Sequence, residues 1–172
     1  INIIDASSLI GNARLIKDEH EINLIRIACN ISAEAHIEAM KNVKDVSSEQ
    51  DIEGIYINEF SKRGGRFQAY TPIVAGGENA CTLHYVENNQ KLKKSDLLLV
   101  DAGCEYEMYA SDITRTFPIN GKFSEEQLKI YKIVLEAMNA AIDNVKPGND
   151  IMKPQEISEK VITKGLVSLG LL

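Results

Sequence analysis

Two aspartates, Asp101 and Asp112, lie in a stretch whose pattern is that of a β-hairpin. Strand-like runs on either side meet near Tyr106-Glu107. A two-residue loop at that point would place Asp101 directly across from Asp112. Opposed residues of an antiparallel pair point to the same face, with Cβ atoms about 4.5–5.5 Å apart. The pattern therefore predicts two neighbouring carboxylates on one face of a sheet.

Two carboxylates at that separation could bind a metal. Beside apolar strands they repel each other, and burying them without partners is costly or shifts their pKa values. A divalent cation between them removes this penalty. Two ions about 3.5–4 Å apart, bridged by a carboxylate, form a recurrent hydrolytic centre. A set of oxygen ligands favours a hard ion such as Mn²⁺ over a thiolate zinc site.

The strand register decides between this hypothesis and a structural one. Tyr-Glu is not the Asn-Gly or Asp-Gly pair that two-residue hairpins prefer. A bulge at Gly103 would shift the pairing by one residue and separate the two carboxylates onto different faces. In the structural alternative, one aspartate caps a turn and the other is exposed on an edge strand. The residue pattern alone leaves both interpretations open.

Other residues with reactive side chains have structural alternatives. His84 is either a functional group or a hydrogen-bonded, half-buried residue of a strand. Cys104 falls on the hairpin face opposite Asp101. This position favours a small core residue over a nucleophile, because no histidine is fixed beside it. The remaining candidates favour structural roles in helices or turns; these are His20, His36 and Gly76-Gly77.

Composition limits the classes of function. The chain has 172 residues and a net charge of −6. A membrane span needs about 18 consecutive apolar residues, and no apolar run in the sequence is close to that length. The acidic balance argues against general nucleic-acid affinity, which needs a concentrated basic face. Three widely spaced cysteines without a CxxC motif argue against a disulfide framework or a zinc knuckle. They indicate a reducing compartment, and we expect a cytoplasmic location.

Local patterns place these residues in an α+β protein. Residues 66–118 contain most of the aromatic and turn residues and are predicted to form strands. Residues 1–14 are predicted to form a short strand and a connector. Capping-box patterns and apolar periodicity predict helices before and after the strands. The predicted helix starts are Asp18, Ser47, Ser124 and a position near Pro154. This order predicts helices packed on an antiparallel sheet.

Three segments, taken together, resemble the pita-bread metallopeptidases and, among them, the bacterial aminopeptidase P (Xaa-Pro aminopeptidase) branch. They are Gly77–Asn88 (GENACTLHYVEN), Leu99–Tyr106 (LVDAGCEY) and Ser111–Pro118 (SDITRTFP). The resemblance extends over essentially the whole chain. It implies that the fold is the first part of a pita-bread domain.

The resemblance also implies an activity and roles for three residues. The activity is release of an N-terminal residue from peptides with proline in second position, by a metal-bridged hydroxide. Asp101 would be a bidentate ligand of one metal ion, and Asp112 would bridge two ions, usually Mn²⁺. His84 would line the substrate pocket and contact the peptide or the developing oxyanion. The full-length protein is expected to form a homo-oligomer.

The chain differs from the family in its extent. Residues 1–14 resemble the end of a linker from an N-terminal domain, and residues 15–172 resemble the N-terminal portion of the catalytic domain. The family's remaining ligands, one His and two Glu, belong to later motifs that this sequence does not contain. We therefore expect this chain alone to bind metal weakly and to be inactive.

Two other functions remain as alternatives. A prolidase-type dipeptidase shares the metal motifs but cleaves dipeptides. A catalytically inert pita-bread module would bind peptides or proteins without cleaving them. Such a module can dispense with Asp101, Asp112 and His84, whereas this chain contains all three.

Overall fold

A computed structural model describes residues 5–172 of the chain. These residues belong to two compact units, Ile1–Gly121 and Lys122–Leu172. The first unit contains the strands and the candidate site, and the second is helical. The α+β fold class predicted from the sequence is confirmed.

Three helices precede the strands: α1 (Ser7–Ala13), α2 (Glu19–Asn42) and α3 (Glu49–Lys62). The capping box that starts α2 is formed as predicted, by Asp18 and Glu21. At α3 the predicted box is wrong by one residue, because Ser48 and Asp51 form it. The strand and connector predicted for residues 1–14 are wrong where α1 forms, and Ile1–Ile4 lie outside the described residues.

Six short strands form two antiparallel sheets with the orders β2-β3-β6 and β1-β4-β5. Alternate residues of β3 are buried against α2 and α3, among them Leu98, Val100 and Ala102. Cys104 is fully buried in the same core, which confirms its predicted structural position. The strand bounds are β1 (Phe67–Gln68), β2 (Ile73–Gly76), β3 (Leu97–Ala102), β4 (Cys104–Tyr106), β5 (Tyr109–Ala110) and β6 (Ile113–Pro118).

The register of the hairpin differs from the predicted one. Tyr106 pairs with Tyr109, so the turn consists of Glu107 and Met108 rather than Tyr106-Glu107. Both turn residues have positive φ, at 48° and 70°, as a two-residue hairpin turn of type I′ requires. Asp101 consequently lies opposite Thr114 and not opposite Asp112. A shift of two residues leaves both aspartates on the same face, because side chains alternate with period two.

Gly103 interrupts the hairpin without changing its register. Its carbonyl accepts a hydrogen bond from Ala69 N–H at 2.9 Å. A Cβ atom on Gly103 would lie 1.8 Å from the Ser111 carbonyl oxygen, so the close approach of the two strands requires glycine. The alternative of a bulge that shifts the pairing by one residue is therefore wrong, because the strands keep the same register on both sides of Gly103.

The second unit consists of α4 (Glu125–Ile142) and α5 (Lys153–Ser168), which pack on each other. Ser124 and Gln127 form the predicted capping box of α4. A Cβ atom added at Gly165 of α5 would lie 2.6 Å from the Ile133 side chain of α4. Glycine at this position therefore permits the close packing of the two helices. Across residues 5–172, no helix has the length and apolar character needed to span a membrane.

Candidate functional site

The two aspartates reach the same point from different strands. Asp101 lies within β3, between Ile73 of β2 and Thr114 of β6. Asp112 lies immediately before β6, at the break in the hairpin. The Tyr70 hydroxyl lies 2.5 Å from Asp101 Oδ1 and 3.0 Å from Asp112 Oδ1. Both carboxylates are thus within hydrogen-bond distance of one oxygen atom, although they are not directly opposed.

Tyr70 is a site residue that the sequence analysis missed. Burial and, to a smaller extent, the hydrogen bond to Asp101 raise the pKa of the Tyr70 hydroxyl. The hydroxyl therefore stays protonated and can donate a hydrogen bond. Tyr70 precedes Asp101 by 31 residues, so no local spacing indicates the contact. The contact becomes evident only once the sheet is formed.

The donor set suits a hard divalent ion but is incomplete. Carboxylate oxygens are the ligands that Mg²⁺, Ca²⁺ and Mn²⁺ prefer. Asp101 and Asp112 could each offer oxygen atoms to an ion near the position of the Tyr70 hydroxyl. Within residues 5–172, no cluster of three or more His, Cys, Asp or Glu side chains has the geometry of a metal site. The two aspartates can therefore form only part of a metal centre.

Helix α2 holds the backbone on both sides of Asp112. Hydrogen bonds join the hydroxyls of Ser32 and Ser111 at 2.7 Å, and His36 Nε2 to the Ile113 carbonyl at 2.9 Å. Because a carbonyl can only accept, Nε2 carries the proton and Nδ1 accepts from the Tyr56 hydroxyl at 2.7 Å. Burial lowers the pKa of His36, which favours this neutral form. The packing role predicted for His36 is confirmed.

His84 is not on a strand, so the expected half-buried strand position is wrong. It lies in an exposed turn after a 3-10 helix (Gly77–Cys81), and its φ is 55°. The next residue, Tyr85, is buried and packs with Ile73 and Leu99. Ile73 pairs with Asp101. Within residues 5–172, no hydrogen bond joins His84 to either aspartate, and the loop that carries it packs on Ile73, the β2 partner of Asp101.

Comparison with known proteins identifies the family. The model of metallopeptidase family M24 matches residues 23–171. The chain is 47% identical over 170 residues to the Xaa-Pro aminopeptidase of Haemophilus influenzae, and the match covers 99% of this chain and 40% of that protein. The chain therefore spans about two fifths of the length of this relative.

Two solved structures have the same fold. The Pseudomonas aeruginosa aminopeptidase PepP superposes with a TM-score of 0.93 at 47% identity, over 98% of this chain and 38% of that one. A zinc-substituted Escherichia coli aminopeptidase P in complex with product gives a TM-score of 0.95 at 43% identity, with the same two coverages. Sequence and structure agree that this chain belongs to metallopeptidase family M24.

Proposed function

We propose that this chain is part of a metal-dependent Xaa-Pro aminopeptidase, which releases the N-terminal residue from peptides with proline in second position. The observation that carries the proposal is the convergence of Asp101 and Asp112 on one hydroxyl. The family and the activity named for its relatives support the substrate class. In this proposal residues 1–14 end a linker, and residues 15–172 form the N-terminal portion of the catalytic domain.

Asp101 and Asp112 would hold two divalent ions, Asp101 as a bidentate ligand of one and Asp112 as a bridge between both. Such ions polarise the scissile carbonyl and lower the pKa of bound water. The carboxylate oxygens suit a hard divalent ion, and among these the family resemblance implies Mn²⁺. The zinc-substituted relative is consistent with a replaceable divalent ion. Before an ion binds, the protonated Tyr70 hydroxyl would hold the two carboxylates near each other, with its single proton between Asp101 Oδ1 and Asp112 Oδ1.

His84 would bind the substrate. An exposed imidazole can approach a peptide without first breaking a hydrogen bond to the protein. Its proposed role is to contact the peptide or the oxyanion that develops at the scissile carbonyl, where a donor stabilises negative charge. The ligands still needed for the metal centre, one His and two Glu, would come from the rest of the full-length protein. We therefore propose that this chain alone has little or no activity.

The cellular setting is a further part of the proposal. The Cys81 thiol is exposed and unpaired, a state typical of reducing compartments, which supports a cytoplasmic location. A homo-oligomer remains the expected state of the full-length protein.

The test uses the full-length polypeptide that contains this sequence, supplied with Mn²⁺. Release of the N-terminal residue is measured for an Xaa-Pro-Yaa tripeptide and for an Xaa-Pro dipeptide. Cleavage of the tripeptide is expected. Cleavage of the dipeptide alone would instead indicate a prolidase. Cleavage of neither, with no metal bound, would indicate a binding module.

The metal role is tested by Asp112→Asn, with Asp45→Asn as the matched control because Asp45 is exposed and distant in sequence from the hairpin. We expect Asp112→Asn to lower kcat/KM by more than about 100-fold, the upper range for residues that only support a metal ligand. Bound Mn²⁺ should fall in parallel. Equal activity and metal content in the two variants would contradict the assignment of Asp112.

A further inference from the structure

Glu49, the first residue of α3, is a carboxylate buried to 1% exposure. Four groups donate hydrogen bonds to it. Its Oε1 accepts from Gly76 N–H at 2.9 Å and Asn79 Nδ2 at 2.8 Å. Its Oε2 accepts from the Tyr85 hydroxyl at 2.7 Å and Gln90 N–H at 3.0 Å. All four donors belong to a single segment, residues 76–90.

Through these bonds Glu49 closes that segment at its base. The first and last donors, Gly76 and Gln90, are the two ends of the segment, and they bind different oxygens of the same carboxylate. The backbone strengthens the closure, because Glu49 N–H donates to the Gln90 carbonyl at 2.9 Å. The donor Tyr85 directly follows His84. The backbone that carries the imidazole is therefore one residue away from a side chain bound to Glu49.

The charge of Glu49 is matched by hydrogen bonds rather than by a cation. No Lys, Arg or His of residues 5–172 forms an ion pair with it. A buried carboxylate without partners is strongly unfavourable. Four donors and the N-terminal end of α3 supply the compensation here. A neutral side chain of the same shape could not bind all four donors, because its amide nitrogen would face two of them.

His84 needs such support. Its φ of 55° lies in the left-handed region, which costs a non-glycine residue free energy and persists only where the surroundings enforce it. We propose that Glu49 is the positioning residue of His84, acting through the 76–90 segment. The proposal rests on the proposed function, in which His84 contacts the substrate. It adds Glu49, on helix α3, to the residues on which peptide binding depends.

The test compares Glu49→Gln with Glu59→Gln in the full-length polypeptide. Glu59 is a matched control because it lies on the same helix, is exposed by only 4%, and pairs with Lys62 and Arg63 instead of the loop. We expect Glu49→Gln to lower kcat/KM for Xaa-Pro-Yaa by about 100-fold, the effect of a misplaced group in an active site. In a His84→Ala background the same substitution should have no further effect. An equal loss in both backgrounds would overturn the proposal.

Hydrogen exchange separates this proposal from the proposed function. In Glu49→Gln, amides of residues 77–89 should exchange faster, while those of α2 remain as in the parent. Unchanged exchange in 77–89 overturns the positioning role, even if the enzyme is active. Absence of peptidase activity in the parent, with faster loop exchange in the variant, overturns the proposed function and leaves the structural role of Glu49 supported.

A second variant applies if Glu49→Gln does not fold. Tyr85→Phe keeps the buried ring and removes one of the four donors. The lost bond is a strong one, because it is 2.7 Å long and its acceptor is a charged carboxylate. We expect a smaller change in the same direction, with faster exchange of residues 77–89 and a several-fold lower kcat/KM. Unchanged exchange and kinetics would overturn the proposal.

Discussion

The two aspartates and His84 are held in different ways. Asp101 lies inside a ladder of paired strands, and the neighbours of Asp112 are bound to α2 through Ser32 and a neutral His36. His84 lies on a loop with a left-handed backbone, and the loop is bound to α3 through one charged side chain, Glu49. In both regions a helix behind the sheet supports the site, but the supporting groups are neutral in one and charged in the other.

This difference matches what each region would do under the proposed function. Two carboxylates repel each other, so their spacing must be set by rigid elements before an ion arrives. A residue that contacts a peptide benefits from a loop, which can present its side chain outward. The comparison predicts that substitutions that disrupt the hairpin lower both the free energy of unfolding and metal binding. Substitutions that disrupt the loop should change substrate binding while the hairpin stays folded.

The largest effect on the hairpin is expected from Gly103→Ala. The new Cβ would lie 1.8 Å from the Ser111 carbonyl oxygen, a backbone atom that cannot move without displacing Asp112. We expect the free energy of unfolding to fall by about 3 kcal/mol, the upper range for overpacked sites. Urea denaturation of the full-length polypeptide measures this change, and bound Mn²⁺ should be lost with it.

Gly54→Ala is the control for that substitution. Gly54 lies in α3, and a Cβ atom added there would meet no neighbouring side chain or strand within 4 Å, so alanine should stabilise the helix by about 1 kcal/mol. A similar loss of stability in both variants would show that the hairpin crossing tolerates a side chain. The tight approach at Gly103 would then not be what holds Asp112.

An intermediate effect is expected from Tyr70→Phe. The substitution keeps the ring and removes the hydroxyl whose single proton lies within hydrogen-bond distance of both aspartates. We expect the metal-free protein to lose about 1.5 kcal/mol, the lower range for hydrogen bonds to charged groups. Urea denaturation in EDTA and in Mn²⁺ measures the loss. It should be smaller in Mn²⁺, since a bound cation replaces the hydroxyl in relieving the repulsion. An equal loss in both conditions would argue that Tyr70 supports the fold and not the pair.

The sequence predicted those parts of the structure that depend on near neighbours. The capping pairs at Asp18 and Ser124 were sufficient to place two helix starts, because their hydrogen bonds span three residues. The hairpin register was wrong, because Glu107 and Met108 both adopt a left-handed conformation that neither residue type favours. Tyr70 was missed for a related reason: its contact joins residues that are distant in sequence.

The smallest expected effect is a pH dependence of the free energy of unfolding that arises from His36, which binds the Ile113 carbonyl beside Asp112. Burial lowers the pKa of His36 in the folded state below its usual value. In the unfolded chain the imidazole takes up a proton near its ordinary pKa of about 6.5. The unfolded state therefore binds more protons in the window below that value, and stability falls as the pH decreases until the lowered pKa is reached.

Between pH 7 and pH 6 the expected loss is up to about 0.7 kcal/mol. Urea denaturation of the metal-free protein at several pH values measures it. His36→Gln should remove this part of the slope, and His20→Gln, at an exposed position of the same helix, is the matched control. Retention of the full slope in His36→Gln would mean that the group that titrates lies elsewhere. The neutral imidazole that supports Asp112 would then not be the source of the pH dependence.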